Sequence, residues 1–238
     1  MDQTSVYIAA SLLAIIAGYL SGSVNYAIIV TRAVVGKDIR ELGNKNPGMS
    51  NVGRSVGKSW GLLVMILDAL KVIVPLILAR VFLFHRDAEL DFAILYLIGI
   101  AGVIGHCLPV FHRFNGGGGI GPMQGVSLFF VPLEYLVSML IGGLFVIFFV
   151  KRVKHRYTQW TPIMFVILTP FLTLLTNLTM DIPLFAHVFI GGHPWAVVGG
   201  VFALSLIILA LNVGFMRSRA REIREGEDNG ELQEDQSV

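Results

Sequence analysis

The sequence has little charge and almost no cysteine. Only 14% of its 238 residues are Asp, Glu, Lys or Arg, whereas 55% are hydrophobic, and the mean hydropathy is +0.73. Soluble domains carry about 25% charged residues, so this composition excludes an ordinary water-soluble protein and predicts an integral membrane protein. The single cysteine, Cys107, excludes an intramolecular disulfide and a cysteine-based metal cluster.

Long apolar runs fill most of the chain. A bilayer-spanning helix needs about 20 apolar residues, and we therefore predict an all-α polytopic membrane protein with about seven transmembrane helices. The predicted spans lie near residues 7–30, 60–84, 92–111, 120–131, 133–150, 162–176 and 194–215. The fourth and fifth are short and flank Pro132, so they are either one long tilted helix or two segments that go out and come back.

Basic residues set the predicted orientation. Most of them lie in residues 32–58, at Arg113, in residues 151–156 and in residues 217–224. Basic loops are cytoplasmic, which favours the out-and-back pair and places the N-terminus outside and the C-terminus in the cytoplasm. The same rule explains these residues without a nucleic-acid partner. We divide the chain into one transmembrane domain, residues 1–224, and a disordered acidic cytoplasmic tail, residues 225–238.

The predicted loop after the first span has the composition of an anion site. It reads GKDIRELGNKNPGMSNVGRSVGKSWG, which mixes cations with amides, hydroxyls and glycines. Cations supply charge, amides and hydroxyls supply directed hydrogen bonds, and glycines let the backbone approach a ligand. The pattern favours a phosphate-bearing substrate, although cations that only contact lipid headgroups account for it equally well.

Four consecutive glycines form the second polar element. They occur in HRFNGGGGIG, residues 112–121, directly before an apolar segment. Backbone N–H groups of a glycine-rich turn at a helix N-terminus bind anions, and we interpret the glycines in this way; a tight turn that serves helix packing is the alternative. His106 lies just upstream, near the predicted cytoplasmic end of its span.

Two ionisable residues lie inside the second span. Asp68 and Lys71 are three residues apart and so share one helical face. Charges at this depth must pair or face a polar cavity, and an ion pair that locks helices is as consistent with the pattern as a role at a site. No metal site is predicted, because His106 and His112 lack cysteine or carboxylate partners at ligand spacing.

Four stretches resemble the bacterial membrane acyltransferases that transfer an acyl group from acyl-phosphate to glycerol 3-phosphate. They are YLSGSVNYA, DIRELGNKNPGMSNVGR, LLVMILDALK and GHCLPVFHRFNGGGGIG, in the order of that family, and they cover about residues 16–125. The resemblance implies a multi-pass enzyme of the bacterial cytoplasmic (inner) membrane that makes lysophosphatidic acid for phospholipid biosynthesis. It also implies cytoplasmic active-site loops, membrane lipids around the protein and no cofactor; protein partners are unknown.

The resemblance implies a site built from both polar elements. His106 and Ser50 are the expected catalytic residues, with His106 assisting proton removal unless a phosphate oxygen of the substrate takes the proton. One phosphate is expected on the backbone of four glycines and the other on cations, with amides orienting oxygens. The expected phosphate-binding residues are Arg40, Lys45, Asn46, Asn51, Arg54, Gly116, Gly117, Gly118 and Gly119.

The chain departs from the family pattern at several positions. Asn44 stands where the family has serine and Lys45 where it has glycine, while Asn115 and Gly118 take two lysine positions. The family's C-terminal motif is not recognisable. We expect Lys45 to replace the missing loop lysine. The departures leave two other functions open: a catalytically impaired paralogue that binds lipid or a partner, and an acyltransferase with a different acceptor or donor.

Overall fold

The structure is a computed structural model that describes residues 2–150, 160–185 and 188–213. The predicted acidic tail, the basic segment 151–156 and the end of the last predicted span lie outside these residues. The described helices are α1 (Gln3–Ser23), α2 (Tyr26–Val35), α3 (Met49–Ser55), α4 (Lys58–Phe82), α5 (Glu89–Cys107), α6 (Ile120–Phe130), α7 (Pro132–Phe145), α8 (Trp160–Thr179) and α9 (Trp195–Val213).

Short irregular elements complete the described chain. Two 3-10 turns, Ile39–Glu41 and Val110–His112, lie in loops, and a π-helical turn, Val146–Val150, continues α7. The strands β1 (Asp181–Phe185) and β2 (Val188–Gly191) form an antiparallel hairpin between α8 and α9. The predicted fold class, an all-α polytopic protein, is confirmed, and the hairpin is an addition that the sequence pattern did not indicate.

Five helical segments of the described chain are long and apolar enough to cross a membrane. They are Gln3–Val35, Lys58–Phe82, Glu89–His112, Pro162–Thr179 and Trp195–Val213, and α6 and α7 are shorter apolar helices. Pro132 begins α7 immediately after Val131, so the fourth and fifth predicted spans are two separate helices. The number of crossings and the orientation stay predictions.

The first predicted span is interrupted. Helix α1 ends at Ser23, Val24 and Asn25 have extended backbone, and the Asn25 side chain caps α2 by accepting the Ile28 N–H at 3.2 Å. Such a break frees backbone polar groups, which a membrane tolerates only where protein atoms satisfy them. Here the ammonium nitrogen of Lys71 lies 2.7 Å from the Val24 carbonyl oxygen.

Glycines bring α1 and α5 into backbone contact. A Cβ added at Gly22 would overlap the carbonyl group of Gly102, and one at Gly105 would overlap the carbonyl of Tyr19. Small residues at a helix interface allow this close approach in membrane proteins. The contact places the C-terminal end of α5, which carries His106, beside the interruption between α1 and α2.

The 36–57 loop, which is the segment of residues 36–57 and includes the short helix α3, is folded around the side-chain amide of Asn51. Asn51 is 1% exposed, and its Nδ2 donates to the carbonyls of Ile39 and Leu42 at 3.3 and 2.9 Å. Its Oδ1 accepts the Asn44 N–H and the Ser55 hydroxyl, both at 3.2 Å. Every hydrogen-bonding position of the amide is therefore used within the loop.

We expect Gly22→Ala to destabilise the protein, because the new methyl group meets the Gly102 backbone, which cannot move without shifting α5. Overpacking of this kind costs about 1–3 kcal/mol. Thermal unfolding in detergent measures it. Gly143→Ala is the matched control, since a Cβ there has no neighbouring atom within 4 Å. Equal midpoints for the two variants would contradict the close packing of α1 on α5.

We expect Asn51→Ala to lower the thermal midpoint as well, because the Asn44 N–H loses its one acceptor among the described residues, and the Ile39 and Leu42 carbonyls each lose one of two donors. An unsatisfied buried polar group costs about 1–3 kcal/mol. The neighbouring Ser50 is exposed, so Ser50→Ala should change stability by no more than about 0.5 kcal/mol. The described role of Asn51 is wrong if its alanine variant unfolds with the wild-type midpoint.

Candidate active site

A buried polar cluster lies where α4 meets α5. The ammonium nitrogen of Lys71 is 2.8 Å from Asp68 Oδ1 and 2.8 Å from His106 Nδ1. His106 Nδ1 lies 3.6 Å from Asp68 Oδ1. The three side chains are only 1–3% exposed. The ion pair that the spacing of Asp68 and Lys71 allowed is therefore present, and it also contacts a residue expected at the site.

The cluster is tied to α1 as well as to α5. Lys71 donates to the Val24 carbonyl, and its own carbonyl accepts the Ser21 hydroxyl at 2.6 Å. The Lys71 nitrogen also lies 5.9 Å from the centre of the Tyr26 ring. A buried charge is stable when it is paired and its hydrogens have acceptors, and Lys71 meets both conditions.

The glycine stretch, residues 116–119, packs on the end of α5. The Gly117 N–H donates to the His106 carbonyl at 3.1 Å. A Cβ at Gly117 would overlap the His106 ring and lie 2.8 Å from the Pro47 carbonyl oxygen. The backbone at residue 117 thus needs glycine because atoms of the protein itself come close. The glycine stretch, the His106 ring and the 36–57 loop meet at this point.

The glycine stretch leads into the N-terminus of α6. Gly119 has a φ of +79° and is the residue before the helix. The N–H groups of Gly118 and Gly119 donate no hydrogen bond to the described residues, whereas that of Gly117 does. Free N–H groups at a helix N-terminus suit an anion. The N–H groups of Gly118 and Gly119 are therefore available for the predicted phosphate contact, whereas the Gly117 N–H is used by the His106 carbonyl.

The cations of the 36–57 loop differ in how freely their charge is available. Arg40 donates from Nε and Nη2 to the Asp38 carboxylate at 3.0 and 2.8 Å, and Arg32 donates to it at 2.7 Å. The hydrogen bond from Arg40 is the main cause that holds the pKa of Asp38 far below its usual range. Arg40 therefore shares its charge with Asp38.

The remaining predicted residues of this loop lie nearer the surface. Arg54 Nη1 donates to the exposed Ser50 hydroxyl at 2.7 Å, and the Asn46 N–H donates to Asn44 Oδ1 at 3.3 Å. Lys45 is exposed and has a φ of +62°, the left-handed conformation that favours glycine. Among the described residues, no hydrogen bond or ion pair joins these side chains to the glycine stretch.

Two asparagines belong to the site although their roles were not predicted. Asn212 of α9 donates to the Gly118 carbonyl at 2.8 Å, and the Oδ1 of Asn212 lies 2.9 Å from a Cβ built at Gly118. Asn25 caps α2 beside Lys71. Each is an amide inside an apolar span, and such residues mark sites or helix contacts in membranes. That signal was available in the sequence.

The chain resembles known proteins over most of its length. The family model described as glycerol-3-phosphate acyltransferase matches residues 12–219. The glycerol-3-phosphate acyltransferase of Legionella pneumophila is 39% identical over 173 residues, which are 72% of this chain and 58% of that protein. That match therefore spans less than two thirds of the relative. The glycerol-3-phosphate acyltransferase of Rubrobacter xylanophilus is 34% identical over 180 residues, 76% of this chain and 83% of that protein.

Solved structures agree with the sequence matches. The crystal structure of PlsY, an integral membrane glycerol 3-phosphate acyltransferase, in its glycerol 3-phosphate form has a TM-score of 0.68 and 27% identity. That comparison covers 91% of this chain and 92% of PlsY. The lysophosphatidic acid form of PlsY has a TM-score of 0.67 and 25% identity, with coverage of 89% and 92%. The protein has the fold of a multi-pass membrane protein, and the family predicted from four short stretches is confirmed: the chain belongs to the glycerol-3-phosphate acyltransferase family.

Proposed function

We propose that the protein is an acyltransferase of the bacterial cytoplasmic membrane that transfers an acyl group from acyl-phosphate to glycerol 3-phosphate. The observation that carries the proposal is the meeting of the glycine stretch, the His106 ring and Pro47 of the 36–57 loop at one point. The loops with the site face the cytoplasm in this proposal, as the distribution of basic residues predicts. The product is lysophosphatidic acid, made for phospholipid biosynthesis.

In the proposed reaction the protein does not need to form a covalent bond with the substrate. A hydroxyl oxygen of glycerol 3-phosphate attacks the acyl carbon, an ester bond forms, and the bond from that carbon to the phosphate oxygen breaks. Phosphate leaves with the bonding electrons, and the hydroxyl proton passes to a phosphate oxygen or a side chain. The protein must hold two anions in line and stabilise the charge that develops on the acyl oxygen.

The site offers two kinds of anion contact. The N–H groups of Gly118 and Gly119, at the start of α6, hold one phosphate. Arg54 and Lys45 provide charge for the other, while Arg40, which is shared with Asp38, adds less. Ser50 and Asn46 orient oxygens from the same loop. Asn51 shapes the loop from inside, because its amide is fully hydrogen-bonded.

One observation favours a second function. Asn115 and Gly118 occupy positions where the family has lysine, and Asn212 fills the space beside Gly118 through a hydrogen bond to its carbonyl. A lysine at residue 118 would have to displace the Asn212 amide from both of its acceptors, the Gly118 and Ile208 carbonyls. This arrangement suits an acyltransferase whose phosphate-bearing acceptor or donor differs from glycerol 3-phosphate and acyl-phosphate.

Phosphate release by the purified protein tests the main proposal. With acyl-phosphate, release should depend on glycerol 3-phosphate, and mass spectrometry should find lysophosphatidic acid in equal amount. Release that responds only to another phosphorylated alcohol would establish the second function. Absence of release with every acceptor and donor tested would contradict both and leave a family member that has lost the reaction.

Replacement of Lys45 by glycine should weaken substrate binding without lowering stability. A non-glycine residue in the left-handed region costs about 1–2 kcal/mol, so Lys45→Gly should keep or raise the thermal midpoint. Loss of its charge should raise the KM for glycerol 3-phosphate about tenfold or more, as expected for a charge-assisted contact of about 1.5–3 kcal/mol.

Two further variants at residue 45 separate charge from backbone conformation. Lys45→Arg retains the charge and should retain a KM close to that of the wild type, whereas Lys45→Asn, which tolerates the same backbone, should behave as Lys45→Gly. Steady-state kinetics with varied acceptor measures all three. A glycine variant with the wild-type KM would show that Lys45 does not replace the missing lysine.

A further inference from the structure

The environment of His106 Nδ1 fixes which ring nitrogen carries the proton. Nδ1 lies 2.8 Å from the Lys71 nitrogen, which also contacts the Val24 carbonyl at 2.7 Å and Asp68 Oδ1 at 2.8 Å. An ammonium group has three hydrogens and no lone pair, so it can only donate; it is hydrogen-bonded to Nδ1 and the Val24 carbonyl and forms an ion pair with Asp68. Nδ1 must therefore accept, and the proton of the neutral ring lies on Nε2.

The charges around the ring support this state. A neutral Lys71 would leave the Asp68 carboxylate buried without a cation, which is costly. A protonated His106 would place an N–H against the ammonium group at 2.8 Å. The charged groups facing His106 are Lys71 and Asp68, both from α4. Nearby, the Tyr26 ring of α2 lies 5.9 Å from the Lys71 nitrogen, the adjacent Cys107 is buried, and the Tyr19 hydroxyl of α1 donates to the Leu108 carbonyl.

The other nitrogen points to the place where substrate is expected. Nε2 is the ring atom that a Cβ at Gly117 would overlap, and it makes no hydrogen bond with the described residues. Nε2 therefore presents an N–H that has no acceptor among the described residues, and it does so at Gly117, which directly precedes Gly118 and Gly119 in the chain.

We infer that His106 is a neutral hydrogen-bond donor to a substrate oxygen at the glycine stretch, and that the Lys71–Asp68 pair holds it in that form. This rests on the proposed function, which supplies the oxygen: the acyl oxygen or a phosphate oxygen of the reacting pair. His106 is then not the general base that the sequence suggested, because Nε2 already carries a hydrogen and Nδ1 is held by Lys71. The hydroxyl proton goes to a phosphate oxygen of the substrate. His106 is a catalytic residue, and Lys71 and Asp68 are positioning residues.

Nitrogen NMR of the intact protein in detergent, with ring-labelled histidine, tests the proton position without turnover. The pair of ring-nitrogen signals that is missing from the spectrum of His106→Gln belongs to His106. We expect one protonated and one unprotonated ring nitrogen, with the proton on Nε2. The signals should not change from about pH 6 to about pH 8. A proton on Nδ1, or titration of the ring in this range, would overturn the inference.

Removal of the positioning pair tests its role. Lys71→Met alone leaves Asp68 without its cation and risks misfolding, so Lys71→Met with Asp68→Asn is the second variant, which removes both charges. In the double variant the His106 signals should shift toward a mixture of the two proton positions or toward titration. Unchanged signals in a folded double variant would show that Lys71 does not fix the ring.

Kinetics test the donor role. Glutamine places an amide N–H near Nε2 but cannot act as a base, so His106→Gln should stay within about tenfold of wild-type kcat, whereas His106→Leu should lose about 100-fold or more, as for loss of an oxyanion donor. When kcat is plotted against pH, the wild type and His106→Gln should have the same shape on the acidic side, because His106 does not act as a base. A glutamine variant as poor as the leucine variant, or a different shape on the acidic side, would overturn the donor role. Failure of the proposed function appears differently, as a wild type without turnover.

Discussion

The ammonium group of Lys71 is the charge on which the buried site depends. It lies in an apolar span, where a lone charge is costly, and it is held by the Asp68 carboxylate, the His106 ring and the Val24 carbonyl. The carbonyl is available because the first span breaks at Val24 and Asn25. The break, the ion pair and the histidine therefore stabilise one another: the break supplies an acceptor for the cation, and the cation satisfies the polar group that the break exposes.

Close packing brings this cluster to the glycine stretch. Gly22 and Gly105 let α1 and α5 touch through their backbones, and the end of α5 then presents His106 to the glycine stretch. The glycines serve two purposes. At residue 117 the missing side chain leaves room for the His106 ring and the Pro47 carbonyl, and at residues 118 and 119 the backbone N–H groups donate to no residue that the structure describes. In the proposed reaction, an anion that binds this backbone lies beside the His106 ring.

The sequence predicted the apolar spans closely, because runs of apolar residues are the direct consequence of a lipid environment. It did not predict the interruption of the first span, since Asn25, with Ser21 and Ser23 before it, lies in a run that is otherwise apolar and long enough to cross a membrane. The β1–β2 hairpin was missed because it lies between two predicted spans, and its segment is too short to be found by a search for membrane-spanning apolar runs. The meeting of Lys71 with His106 and of Asn212 with Gly118 depends on helix packing, which spacing along one helix does not reveal. The predicted tail lies outside the described residues.

The family match and the substitutions at single positions bear on different questions: the first identifies the family, and the second concerns the groups expected to contact phosphate. Matches over residues 12–219 fix the family, whereas Asn44, Lys45, Asn115 and Gly118 alter the groups expected to contact phosphate. In the proposed function, the backbone donors and the histidine are retained and Lys45 replaces the missing cation, so that the site holds two anions. The proposed chemistry then needs no covalent intermediate on the protein, since the acyl-phosphate already carries a good leaving group.

Oxygen labelling tests most directly the central claim, which is acyl transfer to a hydroxyl oxygen of glycerol 3-phosphate. With the hydroxyl oxygens of glycerol 3-phosphate labelled with heavy oxygen, direct attack on the acyl carbon places the label in the ester of lysophosphatidic acid and leaves the released phosphate unlabelled. We predict that result from mass spectrometry of both products. Attack at phosphorus would instead release the free carboxylic acid and place the label in a bis-phosphorylated glycerol, and a reaction mixture without labelled ester would contradict acyl transfer to glycerol 3-phosphate by this protein.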